Sequence, residues 1–174
     1  MTDDVPDAAR EALQRHGSFE ADGDEYQCTT TPLDAAVRAT PEPGERDATF
    51  EVRVTLPTLD AVVEGESVAD VVEDGWLETL ELRLADAYDV VESRDTLDPT
   101  IERRDDDVIA EFGVRAWTAS QGVDDAKAII DFVEGTYVQG VIPGYEYGDP
   151  LAGLLQSAQQ NADSEETTRG GTPL

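Results

Sequence analysis

Apolar residues alternate with polar ones through much of the first third of the chain, and beyond it they recur mainly every third or fourth residue. Ahead of the alternation, residues 4–16 predict a short helix: Asp4 supplies a cap, Pro6 suits the first turn, Ala9 and Leu13 share a face, and Gly17 follows as a stop. Three period-2 segments come next. Tyr26, Cys28 and Thr30 share one face of the first, Leu33, Ala35, Val37 and Ala39 one face of the second, and Phe50, Val52, Val54 and Leu56 one face of the third, with Glu51 and Arg53 opposite. Pro41, Pro43 and Gly44 supply fixed and permissive backbone angles for a hairpin loop, so an antiparallel meander is predicted.

From Thr58 the period lengthens. Val68, Val72, Trp76, Leu80, Leu84 and Tyr88 recur every four residues, joined by Val71 and Ala87, which predicts a helix over residues 67–88. The run Leu80-Glu81-Leu82-Arg83-Leu84 also fits a strand, and Gly75 weakens the helix by ~1 kcal/mol relative to alanine. Residues 99–104 and 107–116 predict a second hairpin turning at Asp105-Asp106-Asp107, with Val108, Ala110, Phe112, Val114 and Ala116 on one face. A further helix starting near Asp124 presents Ala126, Ile129, Ile130, Val133 and Tyr137 and ends between Gly135 and Gly140. Asp149-Pro150 opens a last short helix with Leu151, Leu154, Leu155 and Ala158 in a stripe. Residues 162–174 are polar and aperiodic and predict a disordered tail, which leaves residues 1–161 as one domain.

The element order α-β-β-β-α-β-β-α, with the short C-terminal helix added, predicts an α+β fold. A single antiparallel sheet carries the helices around 67–88 and 123–138 on one face, and Phe50, Val54, Phe112 and Val114 look toward Val72, Leu80, Ile130 and Val133.

Charge narrows the setting more than the function. Forty Asp and Glu stand against twelve Lys and Arg, a formal −28 on 174 residues, and Lys127 is the only lysine. At ~0.15 M salt the Debye length is ~8 Å and such carboxylates repel; at ~1 M it is ~3 Å and most of the repulsion is screened. Weakly hydrated arginines that fork onto carboxylates fit the same reading of a chain built for molar salt. The acids are interleaved with regular apolar periodicity, which argues against a disordered acidic body. No basic stripe offsets phosphate repulsion, so nucleic acid is excluded as a partner. The single cysteine fits a reducing compartment, and the chain has neither a leader-like apolar segment nor a run of ~18 apolar residues; a cytoplasmic protein that binds no membrane is expected.

The catalytic inventory is thin. His16, the only histidine, sits where a cation favours a helix C-terminus, and Cys28 alternates into a strand face as a buried thiol. No nucleophile-elbow, dinucleotide or phosphate-loop pattern occurs, and Asp105-Asp106-Asp107 lacks the ligand spacing of a calcium loop. The sequence therefore points to no catalytic residue, no metal and no cofactor. Glu73-Asp74 and Asp124-Asp125 read as exposed acids on helix faces. The least ordinary stretch is Gly135–Pro150, which holds three of the five tyrosines, four glycines and two prolines. Rings on a loop fixed by glycine and proline offer a rigid contact surface, either for a partner or for the chain's own sheet edge. The candidate partner-binding residues are Tyr137, Gln139, Tyr145, Glu146 and Tyr147.

Three runs carry a resemblance. Val-Ala-Asp-Val-Val-Glu-Asp-Gly-Trp-Leu-Glu-Thr from Val68, Val-Asp-Asp-Ala-Lys-Ala from Val123, and Phe-Val-Glu-Gly-Thr-Tyr-Val-Gln-Gly-Val-Ile-Pro-Gly-Tyr-Glu-Tyr from Phe132 resemble an uncharacterised family of small haloarchaeal proteins, over residues 1–160. That family has no assigned activity, so it implies no functional residues. The element order is also similar to the type III secretion chaperone-like fold, whose members mostly bind other proteins. By that analogy the chain is expected to be a non-enzymatic protein-binding or chaperone-like adaptor, with a protein partner or a second copy in a homodimer. The rival expectation is a small-ligand-binding protein or enzyme that uses a carboxylate with the tyrosines of the 135–150 arm.

Overall fold

The computed structural model describes residues 5–169, so the expected cap at Asp4 lies outside the described residues. Strands β1 (Phe19–Asp22), β2 (Glu25–Cys28), β3 (Asp34–Thr40), β4 (Ala48–Pro57), β6 (Thr96–Arg104) and β7 (Asp107–Ala116) form one antiparallel sheet in the order β1-β2-β3-β4-β7-β6. Its centre is the β4–β7 pair. Ala48, Phe50, Val52, Val54 and Leu56 are all buried, and the register sets Phe50 against Val114 and Val52 against Phe112. Facing residues of an antiparallel ladder share a side, so both phenylalanines lie on the helix-covered face, as the alternation predicts. The opposite face carries Arg38, Glu51, Arg53 and Glu111, and the Arg53 guanidinium forks onto Glu25 at 2.9 Å through both nitrogens. This is the solvated side of a half-covered sheet.

Two features of the sheet exceed the pattern. β1 was not expected: of its four residues only Phe19 is buried, so its sequence shows no alternation to read. At the far edge the β6–β7 register shifts between Leu97 and Thr100, and the Tyr88 hydroxyl fills the break. It accepts from the Gly113 N–H at 2.8 Å and donates to the Leu97 carbonyl. Asp105, in the expected β6–β7 turn, takes φ 53°, a left-handed conformation that a short polar side chain tolerates.

α4 (Ala119–Gln139) lies across β4 and β7, burying Ala126, Ile129, Ile130 and Val133. It starts at Ala119 rather than near Asp124, because Thr118 caps it by accepting from the Gln121 N–H at 3.2 Å. α1 (Asp7–Arg15) buries Ala9 and Leu13 against α4 and β1. α3 (Asp70–Leu84) packs on α4 and on the short α2 (Leu59–Val62), and it is helical through Leu80–Leu84. Trp76, Leu80 and Leu84 are buried as the four-residue period requires. Two members of the expected stripe depart from it: Val72 is only half-buried and Val71 is 79% exposed, so Val72 does not face the sheet.

Glu73 and Asp125, expected on the surface, are each 3% exposed. Asp125 accepts from the Glu92 N–H at 2.8 Å and the Ser93 N–H at 3.0 Å and pins that loop to α4. Glu73 accepts from the Asp60 N–H at 3.0 Å at the start of α2. Both carboxylates replace water with backbone donors, which is what permits their burial.

A second, two-stranded sheet joins β5 (Val63–Glu64) to β8 (Glu146–Tyr147). The last element among the described residues is α5 (Leu151–Arg169), which is longer than the short helix expected. The predicted tail at 162–174 overlaps its last turns, and residues 170–174 lie outside the described residues. Among the described residues no helix is long and apolar enough to cross a membrane.

Candidate functional site

The arm that the sequence singles out is folded onto its own chain. Tyr137 is 1% exposed, its ring meets Trp76 edge-on at 6.3 Å, and its hydroxyl donates to the Pro57 carbonyl at 3.0 Å. Burial pushes that phenol well above its ordinary range. Tyr147 is half-buried; its hydroxyl accepts from the Ile142 N–H at 2.9 Å and donates to the Ile142 carbonyl at 2.6 Å, closing the loop at Gly144, whose φ of 101° only glycine adopts readily. Tyr145 and Tyr147 contact edge-to-face at 6.5 Å. Glu146 is exposed opposite Glu64, and the Gly148 N–H donates to the Val62 carbonyl at 2.7 Å. A Cβ at position 148 would stand 2.6 Å from a Glu64 carboxylate oxygen, so a side chain there would push the exposed Glu64 carboxylate aside.

Gln139 lines an open depression. Where α3 leans on the C-terminal end of α4, a groove of about 410 Å³ runs between Val71, Val72, Gly75, Thr79 and Arg83 on one side and Gln139, Gly140, Val141 and Ile142 on the other. Trp76 and Leu80 also line it. No carboxylate lines it, in a chain with forty, and Arg83 is its only charged residue. Arg83 makes no ion pair among the described residues. Gly75 leaves open space where a side chain would stand, and Leu82 on the same side of α3 is 69% exposed. The signal was present in the sequence. Val71, Val72, Gly75, Thr79 and Leu82 form a second uncharged stripe beside the Trp76–Leu80 stripe, and reading the periodicity for one face only passes over it.

Two other surfaces stand out, and both are charged. The solvated sheet face holds a depression of about 300 Å³ among Glu25, Arg38, Glu51, Arg53 and Glu111, a charged floor in which acids outnumber arginines and Arg53 is already paired with Glu25. At the end of β7, Trp117 is 55% exposed beneath the Arg46 guanidinium, 4.7 Å from its ring. Arg46 and Arg115 both bind Asp95 and hold its carboxyl below the usual range. That cluster is internally paired.

The chemistry available is limited. Among the described residues Glu73 is the one buried acid with an oxygen, Oε1, that finds no partner, and desolvation raises its pKa. Tyr137 lies close enough to feel its charge, yet the hydroxyls of Tyr137 and Tyr147 are committed to backbone carbonyls. His16 approaches Asp124 at 3.8 Å and accepts from the Ser18 N–H, while Cys28 is buried beside Thr30. Among the described residues no group of three His, Cys, Asp or Glu side chains could hold a metal ion. Comparison with curated proteins and with solved structures gave no match. A family model does match residues 14–157, and the chain belongs to that family, described as a family of unknown function (DUF5813).

Proposed function

We propose that the chain is a non-enzymatic protein-binding adaptor, chaperone-like in covering an apolar segment of a polypeptide, and that the α3–α4 groove is its docking surface. The observation that carries this reading is the absence of carboxylates from the groove. A surface built for molar salt keeps acids in the solvent, and an uncharged, partly apolar stripe left open on it is the composition of an interface core. The stripe runs from Val71 to Arg83, about 18 Å along the helix axis, which matches several turns of a bound helix better than a compact ligand. A small-molecule site encloses most of its ligand and focuses several polar groups on it; this groove is a trough with Arg83 and Gln139 at its margins. The acidic surface and reducing chemistry fit a halophilic, archaeal cytoplasm, with neither nucleic acid nor membrane as partner.

The rival reading, a ligand-binding or catalytic site using a carboxylate and tyrosines, has the unpartnered Glu73 oxygen in its favour. Of its three tyrosines, Tyr137 and Tyr147 have hydroxyls committed to backbone carbonyls, which leaves it Tyr145 alone. A photo-crosslinking amino acid at position 75, compared in cells with one at Glu51 on the solvated sheet face, separates the readings. Protein adducts from position 75 that disappear in a Val72→Glu background are expected. Adducts no more frequent than those from position 51 would overturn the adaptor reading.

A further inference from the structure

The two buried acids, Asp125 and Glu73, are compensated very differently. Asp125 is met by the Glu92 N–H, the Ser93 N–H and the Ser93 hydroxyl, spread over both of its oxygens. Glu73 Oε2 accepts from the Asp60 N–H at 3.0 Å, but Oε1 has no partner. A carboxylate ordinarily accepts at both oxygens, and a buried charge with one of them orphaned is costly. The charged and titratable groups that face Glu73 are Asp60 on α2, Arg103 on β6 and Tyr137 on α4. Asp60 adds a like charge. Arg103 is exposed and its Nε donates to the Asp105 carbonyl at 3.5 Å, and the Tyr137 hydroxyl donates to Pro57, so neither satisfies the free oxygen.

What Glu73 holds is a strap. Residues 58–64 run from the end of β4 through α2 and β5, and the Asp60 N–H ties the start of α2 to α3 through Glu73. The Asp60 carboxylate in turn accepts from the Val68 N–H at 2.8 Å, just ahead of α3. The far end of the strap holds the arm: Val62 accepts from the Gly148 N–H, and Val63 and Glu64 pair with Tyr147 and Glu146. That two-residue ladder sets two like charges, Glu64 and Glu146, opposite each other, which weakens it. We infer that Glu73 is a proton-operated latch: neutral, it holds α2 against α3 and with it the arm at 146–148; ionised, it favours an opened strap that admits water to Oε1. Burial raises the Glu73 pKa only while the strap is closed, so ionisation shifts the balance toward the open form. Buried Leu59, Val62 and Val63 keep the closed form in the majority, and the proton sets how often it opens. The open fraction is constant below the ordinary carboxyl value of 4.5, rises about tenfold for each pH unit above it, and levels off once the pH passes the value in the closed chain. The latch is independent of what the α3–α4 groove binds.

Amide hydrogen exchange of the full chain in molar KCl, divided at each pH by the intrinsic exchange rate, reads the opening at single N–H groups. The Asp60 and Gly148 N–H groups report the two ends of the strap, and the Ser93 N–H, held by Asp125, reports the body of the domain. Protection at Asp60 and Gly148 is expected to fall together as pH rises from 4.5 and then to level off, while protection at Ser93 does not follow. Glu73→Gln, which keeps an acceptor for the Asp60 N–H but cannot ionise, should flatten the fall at both ends of the strap. Protection at Asp60 and Gly148 that is independent of pH, that falls no further than at Ser93, or that falls equally in Glu73→Gln would overturn the inference. The comparison among the three N–H groups is made within the parent chain, so it decides the matter even where Glu73→Gln fails to fold.

Discussion

Gly122 is the position where helix and sheet come closest, and substituting it measures that approach directly. It lies in the first turns of α4 above Phe50. A Cβ built there would stand 2.2 Å from Phe50 Cε2, 2.3 Å from Cδ2 and 2.9 Å from the Ala116 Cβ. Carbon atoms rest at about 3.5–4.0 Å, so the ring would have to recede by more than ~1 Å. Phe50 is fully buried and faces Val114 across the ladder, so it has nowhere to go without moving the sheet. Overpacking of this kind costs ~1–3 kcal/mol, against a helix-propensity gain of at most ~1 kcal/mol for Gly→Ala. Gly122→Ala should therefore lose about 1–2 kcal/mol, or about 2–8 °C in melting temperature for a domain of this size. Gly135→Ala is the control in the same helix. Nothing lies within 4 Å of a Cβ there, so it should gain about 0.4–1 kcal/mol. Thermal unfolding by circular dichroism in molar KCl compares the three proteins, and Gly122→Ala/Phe50→Leu should recover part of the loss if the ring is the obstacle. Two alanine variants that both rise, or a Gly122→Ala protein as stable as the parent, would refute the close approach of α4 to β4.

The remaining predictions concern charge and the arm. Glu73 has a raised pKa in the folded chain, so its ionisation opposes folding: the stability it contributes is complete below its unfolded value near 4.5 and declines as pH rises through the folded one. Glu73→Gln still accepts from the Asp60 N–H, and its melting temperature relative to the parent should climb over that pH range; a difference that stays constant with pH would contradict the desolvated carboxylate. Replacing Tyr145 and Tyr147 together by alanine removes the edge-to-face pair and both Ile142 hydrogen bonds, and should cost about 2–4 kcal/mol while leaving association intact. Loss of association at unchanged stability would return the arm to the role of an interface. Lowering KCl from molar to ~0.1 M should depress the melting temperature as the Debye length grows to ~10 Å, and a salt-independent transition would remove the case for haloadaptation.

How far the sequence could be read depended on how local the cause was. The alternation in β4 and β7 is a property of ten consecutive residues, so their bounds, pairing face and buried phenylalanines were all legible. Leu80–Leu84 satisfied two periods at once, and it took Trp76 and Leu84 on one side of α3 to decide for helix. Asp125 and Glu73 were not legible, because with forty acids a carboxylate carries no mark of its surroundings. Their burial is decided by backbone donors at Glu92, Ser93 and Asp60, thirteen to thirty-three residues away. The arm drew notice by composition alone. Tyr137 and Tyr147 turned to the backbone of Pro57 and Ile142, while Gln139 reached the groove because α4 ends there, against the middle of α3.

The acidity and the groove belong to one argument. At ~0.15 M salt the field of a −28 body reaches several ångströms beyond its surface and repels any acidic neighbour, whatever the shape of the contact. At molar salt that field collapses to about one atomic diameter, and recognition depends on what lies within contact distance. Under those conditions an acid at an interface still incurs its desolvation cost, while acids elsewhere no longer matter to association. A chain adapted to such a solvent can carry carboxylates almost everywhere at little cost, and it must clear them from the surfaces it uses. On this protein the surface cleared of acids is the α3–α4 groove, where molar salt leaves recognition to contact rather than to the field of the whole body.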